Sequence, residues 1–160
     1  MENIALLNFI DLNMKEKEMI LKWRNHPEIR KWMYNQDEIK LEEHLTFIES
    51  LKLRKDKLYF LVKKDKEYIG VIDFIEIIEE ESLHMGIYIN PNTKGNGKIL
   101  LNKIIDYSFD KLEVKKIYSE VFSENEKAYN LYMKFNFKDI SEKTVNNKKV
   151  ICMELENENR

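Results

Sequence analysis

Two patterns of apolar and polar residues succeed one another along the chain, one typical of strands and the other of helices. Short apolar runs between charged or turn residues predict strands, whereas apolar residues spaced three or four apart predict helices. The predicted strands are Ile4–Ile10, Tyr59–Val62, Tyr68–Ile78, Leu83–Ile89, Lys116–Phe122, Lys138–Val145 and Lys148–Glu154. The predicted helices are Asn13–Arg24, Leu41–Leu53, Lys98–Lys111 and Glu126–Phe135.

The order of these elements predicts an α/β fold. Strands and helices alternate as β-α-α-β-β-β-α-β-α-β-β, so we expect one domain, residues 1–160, around a mixed sheet of about seven strands with about four helices. The segment Leu83–Phe122 reads strand, helix, strand, which predicts a right-handed parallel crossover. The pair Asn146-Asn147 predicts a hairpin turn between the last two strands.

Charge and composition exclude several classes of function. The 160 residues include 27 Lys and Arg against 29 Asp and Glu, so the net charge of −2 lacks the basic excess needed to bind nucleic-acid phosphates. No apolar run approaches the roughly 20 residues that span a bilayer, and the first residues do not form a signal peptide. The one cysteine, Cys152, cannot form an internal disulfide. We therefore expect a cytoplasmic protein that binds neither nucleic acid nor membrane.

A glycine-containing loop between a strand and a helix is a candidate phosphate site. In Asn92–Lys98, two glycines allow a tight turn, and the N–H groups that open the next helix can point at an anion. Lys94 and Lys98 add positive charge. The spacing fits neither a Walker loop nor a dinucleotide-binding fingerprint. From this loop alone, a simple connection between two elements is an equally good interpretation.

A second segment follows the strand Lys116–Phe122. Ser123 stands three residues before Glu126, which predicts a capping box at the start of a short helix. Tyr132 lies on that helix among apolar residues, and taken alone it is most simply a core tyrosine.

Together the two segments resemble the GCN5-related N-acetyltransferase (GNAT) family. That family has a loop of the form Gln/Arg-x-x-Gly-x-Gly/Ala and a later stretch Asn-x-x-Ala-x-x-x-Tyr. Here residues 92–97 read Asn-x-x-Gly-x-Gly, with Asn92 in place of Gln or Arg, and residues 125–132 match the later stretch fully. The terminal Gly-Phe of the family is Asn136-Phe137 here. The element order also matches, so the resemblance covers nearly the whole chain.

The resemblance implies a GNAT fold, in which a mostly antiparallel sheet contains two splayed parallel strands that form an acetyl-CoA cleft. It implies acetyl-CoA as co-substrate and no metal, and the three histidines show no metal-ligand spacing. Carried over residue by residue, the groups that bind acetyl-CoA are Ile87, Tyr88, Ile89, Lys94, Gly95, Asn96, Gly97, Lys98, Asn125, Lys127 and Tyr132.

Acetyl transfer from a thioester to an amine needs a base, a polarised carbonyl and a proton for the departing sulfur. A backbone N–H of the strand 87–89 is expected to bind the carbonyl oxygen. Tyr132 is expected to protonate the sulfur, because phenol and thiol acidities differ by about two units. Three residues are candidates for the base, namely Asp73, Glu120 and His84, and a water relay to Glu120 is favoured.

The acceptor side is expected in the first two helices and the segment between them. Arg24 and His44 are candidate anion-binding groups, and Met33, Tyr34 and Phe47 offer flat surfaces on which a nucleobase can stack. Placement of Phe47 in the core is the competing interpretation for that side chain.

This region resembles one subfamily of the GNAT enzymes in particular, through Trp-Arg-Asn-His-Pro, Trp-Met-Tyr and Glu-His-Leu-x-Phe-Ile at residues 23–27, 32–34 and 43–48. The members of that subfamily acetylate the C4 amine of a UDP-linked amino-dideoxy sugar in pseudaminic acid biosynthesis. The resemblance implies a small-molecule UDP-sugar substrate, with Glu120 near its amine. The residues then expected around the nucleotide-sugar are Arg24, Met33, Tyr34, His44, Phe47, His84 and Tyr88.

Two other functions stay open at this point. The first is acetylation of a ribosomal protein, a peptide or a small amine by the same fold. The second is a coenzyme A-binding module without turnover, although retention of both Tyr132 and the Gly95-x-Gly97 loop favours an enzyme. A homodimer is possible because the predicted sheet has exposed edges.

Overall fold

The computed structural model describes residues 3–160 and places seven strands in one sheet. The strands are β1 (Ile4–Asn8), β2 (Leu58–Lys64), β3 (Glu67–Ile78), β4 (Ser82–Ile89), β5 (Lys116–Phe122), β6 (Lys138–Val145) and β7 (Lys148–Glu156). The helices are α1 (Met14–Asn25), α2 (Pro27–Arg30), α3 (Leu41–Ser50), α4 (Gly97–Asp106) and α5 (Glu126–Lys134). The strand order is β1-β2-β3-β4-β5-β7-β6, which confirms the predicted α/β class with a mixed sheet.

The sheet is antiparallel at every contact except one. β4 and β5 lie parallel and pair only over Ser82–His84 and Lys116–Tyr118. Beyond that point β4 stays paired with β3 as far as Ile89, and β5 stays paired with β7 as far as Phe122. The two parallel strands therefore separate while each keeps its other neighbour. The gap between them is a cleft in the middle of the sheet, as the family resemblance implied.

Apolar side chains form two cores, one on each face of the sheet. On one face, α4 packs Leu101 and Ile104 against the strands, and Tyr132 of α5 joins the same cluster. On the opposite face, α1 contributes Trp23 and α3 contributes Ile48. We call this second surface the α1/α3 face. Side chains alternate between the faces along each strand, so the register decides which polar residues lie on the α1/α3 face.

Local sequence signals explain most helix boundaries. Asn13 caps α1 through a capping box, because its Oδ1 accepts from the Glu16 N–H at 2.8 Å and the Glu16 carboxylate accepts from the Asn13 N–H at 3.0 Å. Asn146 and Asn147 both have positive φ, which confirms the predicted hairpin turn.

Several element boundaries differ from the prediction. The first strand ends at Asn8 because a 3₁₀ turn follows at Phe9–Asp11. Pro27 begins the short helix α2, which raises the number of α-helices among the described residues from the expected four to five. The predicted cap at Ser123 is wrong, since Asn125 caps α5 by accepting from the Ala128 N–H at 3.3 Å. No helix within residues 3–160 is long and apolar enough to cross a membrane.

Candidate active site

Two backbone N–H groups of β4 point into the cleft. Asn90 donates its N–H to the carbonyl oxygen of Ile69 on β3 at 3.0 Å. In an antiparallel pair, alternate residues face the same neighbour, so Tyr88 also directs its N–H toward β3. The N–H groups of Ile87 and Ile89 therefore point toward β5, where strand pairing has ended. They are positioned to donate to an oxygen atom bound in the cleft.

The loop between β4 and α4 is shaped for an anion. Gly95 has a φ of 78°, which only glycine adopts readily, and no atom lies within 4 Å of its missing side chain. The first backbone hydrogen bond within α4 is accepted by Asn96, so the N–H groups of residues 97–99 have no partner in the described part of the chain. Lys94 and Lys98 are exposed beside them. These N–H groups, the helix dipole and two ammonium groups together favour a phosphate.

The opening of α4 lies close to α5. A Cβ on Gly97 would stand 3.1 Å from Leu131 Cδ2 and 3.8 Å from Ile89 Cδ1. At the start of α5, Asn125 uses Oδ1 as the helix cap, which leaves its Nδ2 for a ligand, and Lys127 is exposed. The segments predicted to bind acetyl-CoA thus border the same end of the cleft.

Tyr132 lies at the inner end of this region. Its side chain is 8% exposed, and its ring packs against Phe137 with centroids 5.8 Å apart. The hydroxyl makes no hydrogen bond to any residue in 3–160. Burial, together with the nearby charge of Asp73, raises the pKa of Tyr132 to about 12. The hydroxyl is therefore protonated at neutral pH and available as a proton donor.

Two carboxylates lie level with each other across the cleft. The β4–β5 register pairs His84 with Tyr118, so Glu120 on β5 stands level with Gly86 on β4, and Gly86 in turn pairs with Asp73 on β3. By the two-residue period of strands, Asp73 and Glu120 both project from the α1/α3 face. They occupy opposite sides of the gap.

Asp73 interacts electrostatically with three tyrosines and one lysine. The residue is partly buried, and protein atoms surround its carboxylate. Burial raises the pKa of Asp73 to about 7, and the charge of Lys57 opposes the shift. The charge of Asp73 in turn contributes to the raised pKa of Tyr59, Tyr88 and Tyr132, although burial is the larger cause for each.

Glu120 has a very different environment. Tyr34 donates its hydroxyl to Glu120, and Lys143 of β6 lies with Nζ 2.8 Å from the same carboxylate oxygen. Burial would raise the pKa of Glu120, but the hydrogen bonds from Lys143 and Tyr34 outweigh it and hold that pKa below its usual value. Glu120 is therefore ionised at neutral pH and already paired with a cation.

Tyr34 is held in place by several contacts. Its ring meets Phe122 edge to face at 5.6 Å, and Lys143 Nζ stands 5.7 Å from the ring centroid. Asn146 Nδ2 donates to the Tyr34 carbonyl oxygen at 2.8 Å. The segment between α2 and α3 is thereby joined to the β6–β7 hairpin across the α1/α3 face.

His84 is paired outside this group. Its Nε2 lies 3.1 Å from Glu76 Oε2, and its ring packs on Tyr118 with centroids 5.2 Å apart. The carboxylate of Glu76 therefore engages one ring nitrogen of His84, and the other stays available to an acceptor.

Arg24 has an unpaired donor pointing into the protein. Its Nη2 donates to the Asn35 carbonyl oxygen at 2.8 Å, whereas Nη1 is buried and has no hydrogen-bond partner among the described residues. Burial lowers the pKa of Arg24, and the proximity of Tyr88 opposes that shift. A buried guanidinium nitrogen without an acceptor is costly, so an anionic ligand beside Tyr88 would stabilise it.

The remaining predicted acceptor residues are placed differently. His44 is 7% exposed, and its Nε2 bonds to the Lys17 carbonyl oxygen of α1 at 2.8 Å, while burial lowers its pKa. A neutral His44 thus ties α3 to α1 and leaves only Nδ1 for a ligand. Phe47 packs edge to face on Tyr59 at 5.0 Å, in agreement with the core interpretation of Phe47, and Met33 is half-buried.

Sequence reasoning missed two residues of this region. Lys143 lies on an edge strand among exposed residues, and nothing in its neighbourhood along the chain sets it apart from other lysines. Gly86 was not singled out either, although its place between Met85 and Ile87 in an apolar strand was a usable signal, because glycine inside a strand often marks a close approach. Across residues 3–160, no three His, Cys, Asp or Glu side chains cluster as they would to hold a metal ion.

Comparison with known proteins identifies relatives of the chain. A sequence profile described as Acetyltransferase (GNAT) domain matches residues 7–138. The chain is 46% identical to the Acetyltransferase PseH of Campylobacter jejuni subsp. jejuni serotype O:23/36 (strain 81-176), over 134 residues that make up 84% of each protein.

Solved structures agree with this match. The Campylobacter jejuni N-acetyltransferase PseH in complex with acetyl coenzyme A superposes with a TM-score of 0.81 at 38% identity, over 96% of this chain and 99% of that one. The Vibrio cholerae spermidine N-acetyltransferase in complex with CoA and spermine gives a TM-score of 0.87 at 24% identity, over 99% and 96% of the two chains. At that identity the second likeness shows a shared fold and carries no information about the acceptor.

Proposed function

The chain belongs to the GNAT acetyltransferase family, and on that premise we propose that it acetylates the C4 amine of a UDP-linked amino-dideoxy sugar. The enzyme is an N-acetyltransferase with acetyl-CoA as donor. The acceptor in this proposal is UDP-4-amino-4,6-dideoxy-N-acetyl-β-L-altrosamine, and the pathway is pseudaminic acid biosynthesis for flagellin glycosylation.

Arg24 is the observation that carries the choice of acceptor. Its Nη1 is buried beside Tyr88 without a partner, and an anion would stabilise it. The diphosphate of a nucleotide-sugar is such an anion, and a guanidinium binds phosphate oxygens strongly. A polyamine carries only positive charge, which a buried arginine repels.

Acetyl-CoA occupies the cleft between β4 and β5 in this proposal. The N–H groups of residues 97–99 with Lys94 and Lys98 hold its pyrophosphate. The N–H groups of Ile87 and Ile89 bind the thioester carbonyl oxygen and stabilise the negative charge that develops there during attack. Asn125 and Lys127 line the opposite side of the cofactor.

Tyr132 donates the proton to the departing sulfur. Its pKa of about 12 keeps the hydroxyl protonated until the thiolate forms. This value widens the difference from a thiol beyond the two units assumed from sequence, so a loss of negative charge near Tyr132 would make the proton transfer more favourable.

Glu120 binds the acceptor's amine. It is ionised, and it already holds the ammonium group of Lys143 at 2.8 Å, which demonstrates that its carboxylate accepts a cationic amine. An acceptor amine approaching from the α1/α3 face meets Glu120 on one side of the cleft. The favoured water relay through Glu120 would then require that carboxylate to gain a proton against two hydrogen bonds.

The expected cytoplasmic location accompanies this proposal, because acetyl-CoA and UDP-sugars are small-molecule substrates of the cell interior. A homodimer stays a prediction of the sequence.

The test measures thiol release from acetyl-CoA with three acceptors in parallel, namely the UDP-4-amino sugar, a lysine peptide and spermidine. We expect turnover with the UDP-sugar and rates near background with the other two. Turnover with the peptide or spermidine alone would contradict the acceptor assignment and would leave the acetyltransferase activity intact. UMP or UDP should compete with the sugar acceptor, because either one supplies the anion for Arg24.

A further inference from the structure

Asp73 and Gly86 lie side by side on the α1/α3 face of the cleft. We propose that Asp73 is the general base that takes the proton from the acceptor amine, and that residue 86 is glycine because the Asp73 carboxylate fills the space of a side chain there. This inference rests on the proposed acetyl transfer and assigns a residue to one of its steps.

The position of the carboxylate is defined by Gly86. A Cβ built on Gly86 would lie 2.4 Å from Asp73 Oδ2, 2.6 Å from Oδ1 and 2.8 Å from Cγ. Carboxylate atoms therefore occupy the volume that any other residue at 86 would take. Asp73 starts from β3, but its functional group lies over β4, one residue before the N–H of Ile87 that points into the cleft. The base is thus beside the site where the acyl carbon is attacked.

The two carboxylates that face the cleft differ in environment and in their proposed roles. Lys143 and Tyr34 both contact Oε1 of Glu120 and leave Oε2 for a ligand, whereas Asp73 accepts no hydrogen bond from any residue in 3–160. The environments of the two groups move their pKa values apart, downward for Glu120 and upward to about 7 for Asp73. Such a divergence assigns charge binding to the first and proton transfer to the second. A base with a pKa near the operating pH is also the most efficient one.

The groups that face Asp73 support this assignment. Tyrosines of β2 and β4 interact with it electrostatically from the α1/α3 face, Tyr132 of α5 does so from the opposite face, and Lys57 precedes β2. More distant charges on the α1/α3 face lie on α1, β4 and β5. In full, these titratable and charged groups are Lys57, Tyr59, Tyr88, Tyr132, Arg24, His84 and Glu120. Among these groups, the charge of Lys57 favours the ionised form of Asp73, and Lys57 makes no hydrogen bond to that carboxylate.

Uptake of the proton by Asp73 prepares Tyr132 for its own step. Burial is the main cause of the raised pKa of Tyr132, and the negative charge of Asp73 adds to it. Once Asp73 is neutral, that second contribution disappears and Tyr132 becomes a stronger acid. The base step thereby lowers the cost of the acid step that follows.

The atoms balance over the whole reaction. The acceptor amine first loses one proton to water, because only the neutral nitrogen has a lone pair for attack. That nitrogen attacks the acyl carbon, the N–C bond forms, and Asp73 receives a second proton from the nitrogen. The C–S bond then breaks, and the sulfur takes the proton of Tyr132 to give free coenzyme A. Water carries the proton held by Asp73 back to the tyrosinate, so both residues regain their initial states.

The experiment compares Asp73→Asn with wild type over pH 5.5–9, with kcat/KM for the acceptor as readout. We expect a loss of about 10²-fold or more at pH 8, with KM for acetyl-CoA nearly unchanged. In wild type, kcat/KM for the acceptor should fall on acidification with a midpoint near pH 7. In the variant this fall should disappear. An exposed carboxylate on the same strand provides the matched control, and Glu67→Gln should leave the profile unaltered.

Gly86 gives an independent test. Gly86→Ala should displace the Asp73 carboxylate and lower kcat, whereas the same change in an Asp73→Ala background should cost nothing further, because the clash is gone. Additive losses in this double-mutant cycle would contradict the proposed spatial relation. Binding of acetyl-CoA to each variant shows that the cleft is intact.

Retention of the acidic fall in kcat/KM at its wild-type midpoint in Asp73→Asn would overturn the proposal, since that fall would then belong to the acceptor's own amine. The proposed function is tested separately. The wild-type rate with the UDP-sugar decides the acceptor, while the ratio of variant to wild type at each pH decides Asp73 and can be measured with any amine that the wild type acetylates.

Discussion

Asp73 should make the folded protein less stable as the pH rises, and Asp73→Asn should remove that dependence. The pKa of Asp73 is about 7 in the folded protein against 3.8 for an ordinary aspartate. A group whose pKa is raised by folding stabilises the native state fully below pH 3.8 and loses that contribution as the pH rises through 7. The reason is that ionising a carboxyl among protein atoms costs more than ionising it in water.

The magnitude follows from the two pKa values. A shift of roughly three units corresponds to about 4 kcal/mol in the limit of high pH, since one unit is about 1.4 kcal/mol. Between pH 5 and pH 8, the linkage relation gives a loss of roughly 2–3 kcal/mol for wild type relative to Asp73→Asn. Differences between the two side chains that do not depend on pH cancel when the comparison is made across pH.

The assay is urea unfolding of both proteins, without ligands, at pH 5, 6, 7 and 8. The quantity of interest is the difference in the free energy of unfolding between variant and wild type at each pH, provided that the slopes with urea agree. We expect the variant's advantage to grow between pH 5 and pH 7 and to level off by pH 8. A difference that stays constant would refute the reasoning, because it would mean that the Asp73 carboxyl titrates in its ordinary range when the chain is folded.

Three further substitutions test other parts of the site. Tyr132→Phe should lower kcat by about 10²–10⁴ and leave KM for acetyl-CoA nearly unchanged, because it removes only the proton donor; steady-state kinetics measures both. Arg24→Ala should raise KM for the acceptor much more than KM for acetyl-CoA, since it removes the group proposed to bind the diphosphate, and the same kinetics checks this. Lys143→Met should raise the pKa of Glu120, because burial then acts without the ion pair. The pH below which KM for the acceptor rises should therefore be higher in this variant than in wild type.

The contradicting outcomes differ among these variants. An unchanged kcat in Tyr132→Phe would assign sulfur protonation to water. Equal effects on both KM values would make Arg24 a structural residue that supports Asn35 and its segment. A profile unaltered by Lys143→Met would mean that Glu120 takes no part in binding the amine, and Lys148→Met on the neighbouring strand is the control for loss of an exposed lysine.

Local features of the fold could be predicted from sequence because their causes lie within a few residues. The cap at Asn13, the hairpin at Asn146-Asn147 and the glycine loop before α4 each depend on neighbours along the chain. The cap of α5 was misassigned because both Ser123 and Asn125 are good capping residues, and only the backbone conformation decides between them.

The carboxylate arrangement could not be predicted in the same way. Lys143, Glu120 and Tyr34 meet from three distant parts of the chain, and their contact depends on the order β5-β7-β6 and on the path of the segment after α2. Likewise, the approach of Asp73 to Gly86 follows from the β3–β4 register, which a one-residue slip would abolish. The residue types in the sequence identified the candidate site residues. The strand register then showed which of them lie together.

The short pairing between β4 and β5 has a consequence for how the protein avoids aggregation. A sheet ordinarily has two edges that can recruit a foreign strand, and here the outer ones are β1 and β6. Separation of the parallel strands after three residue pairs creates two more, but these face each other inside the molecule. A foreign chain would have to enter the narrow gap between them, flanked by α4 and α5. The enzyme thus keeps unsatisfied backbone groups ready for its substrate without presenting them to its neighbours in a crowded cell.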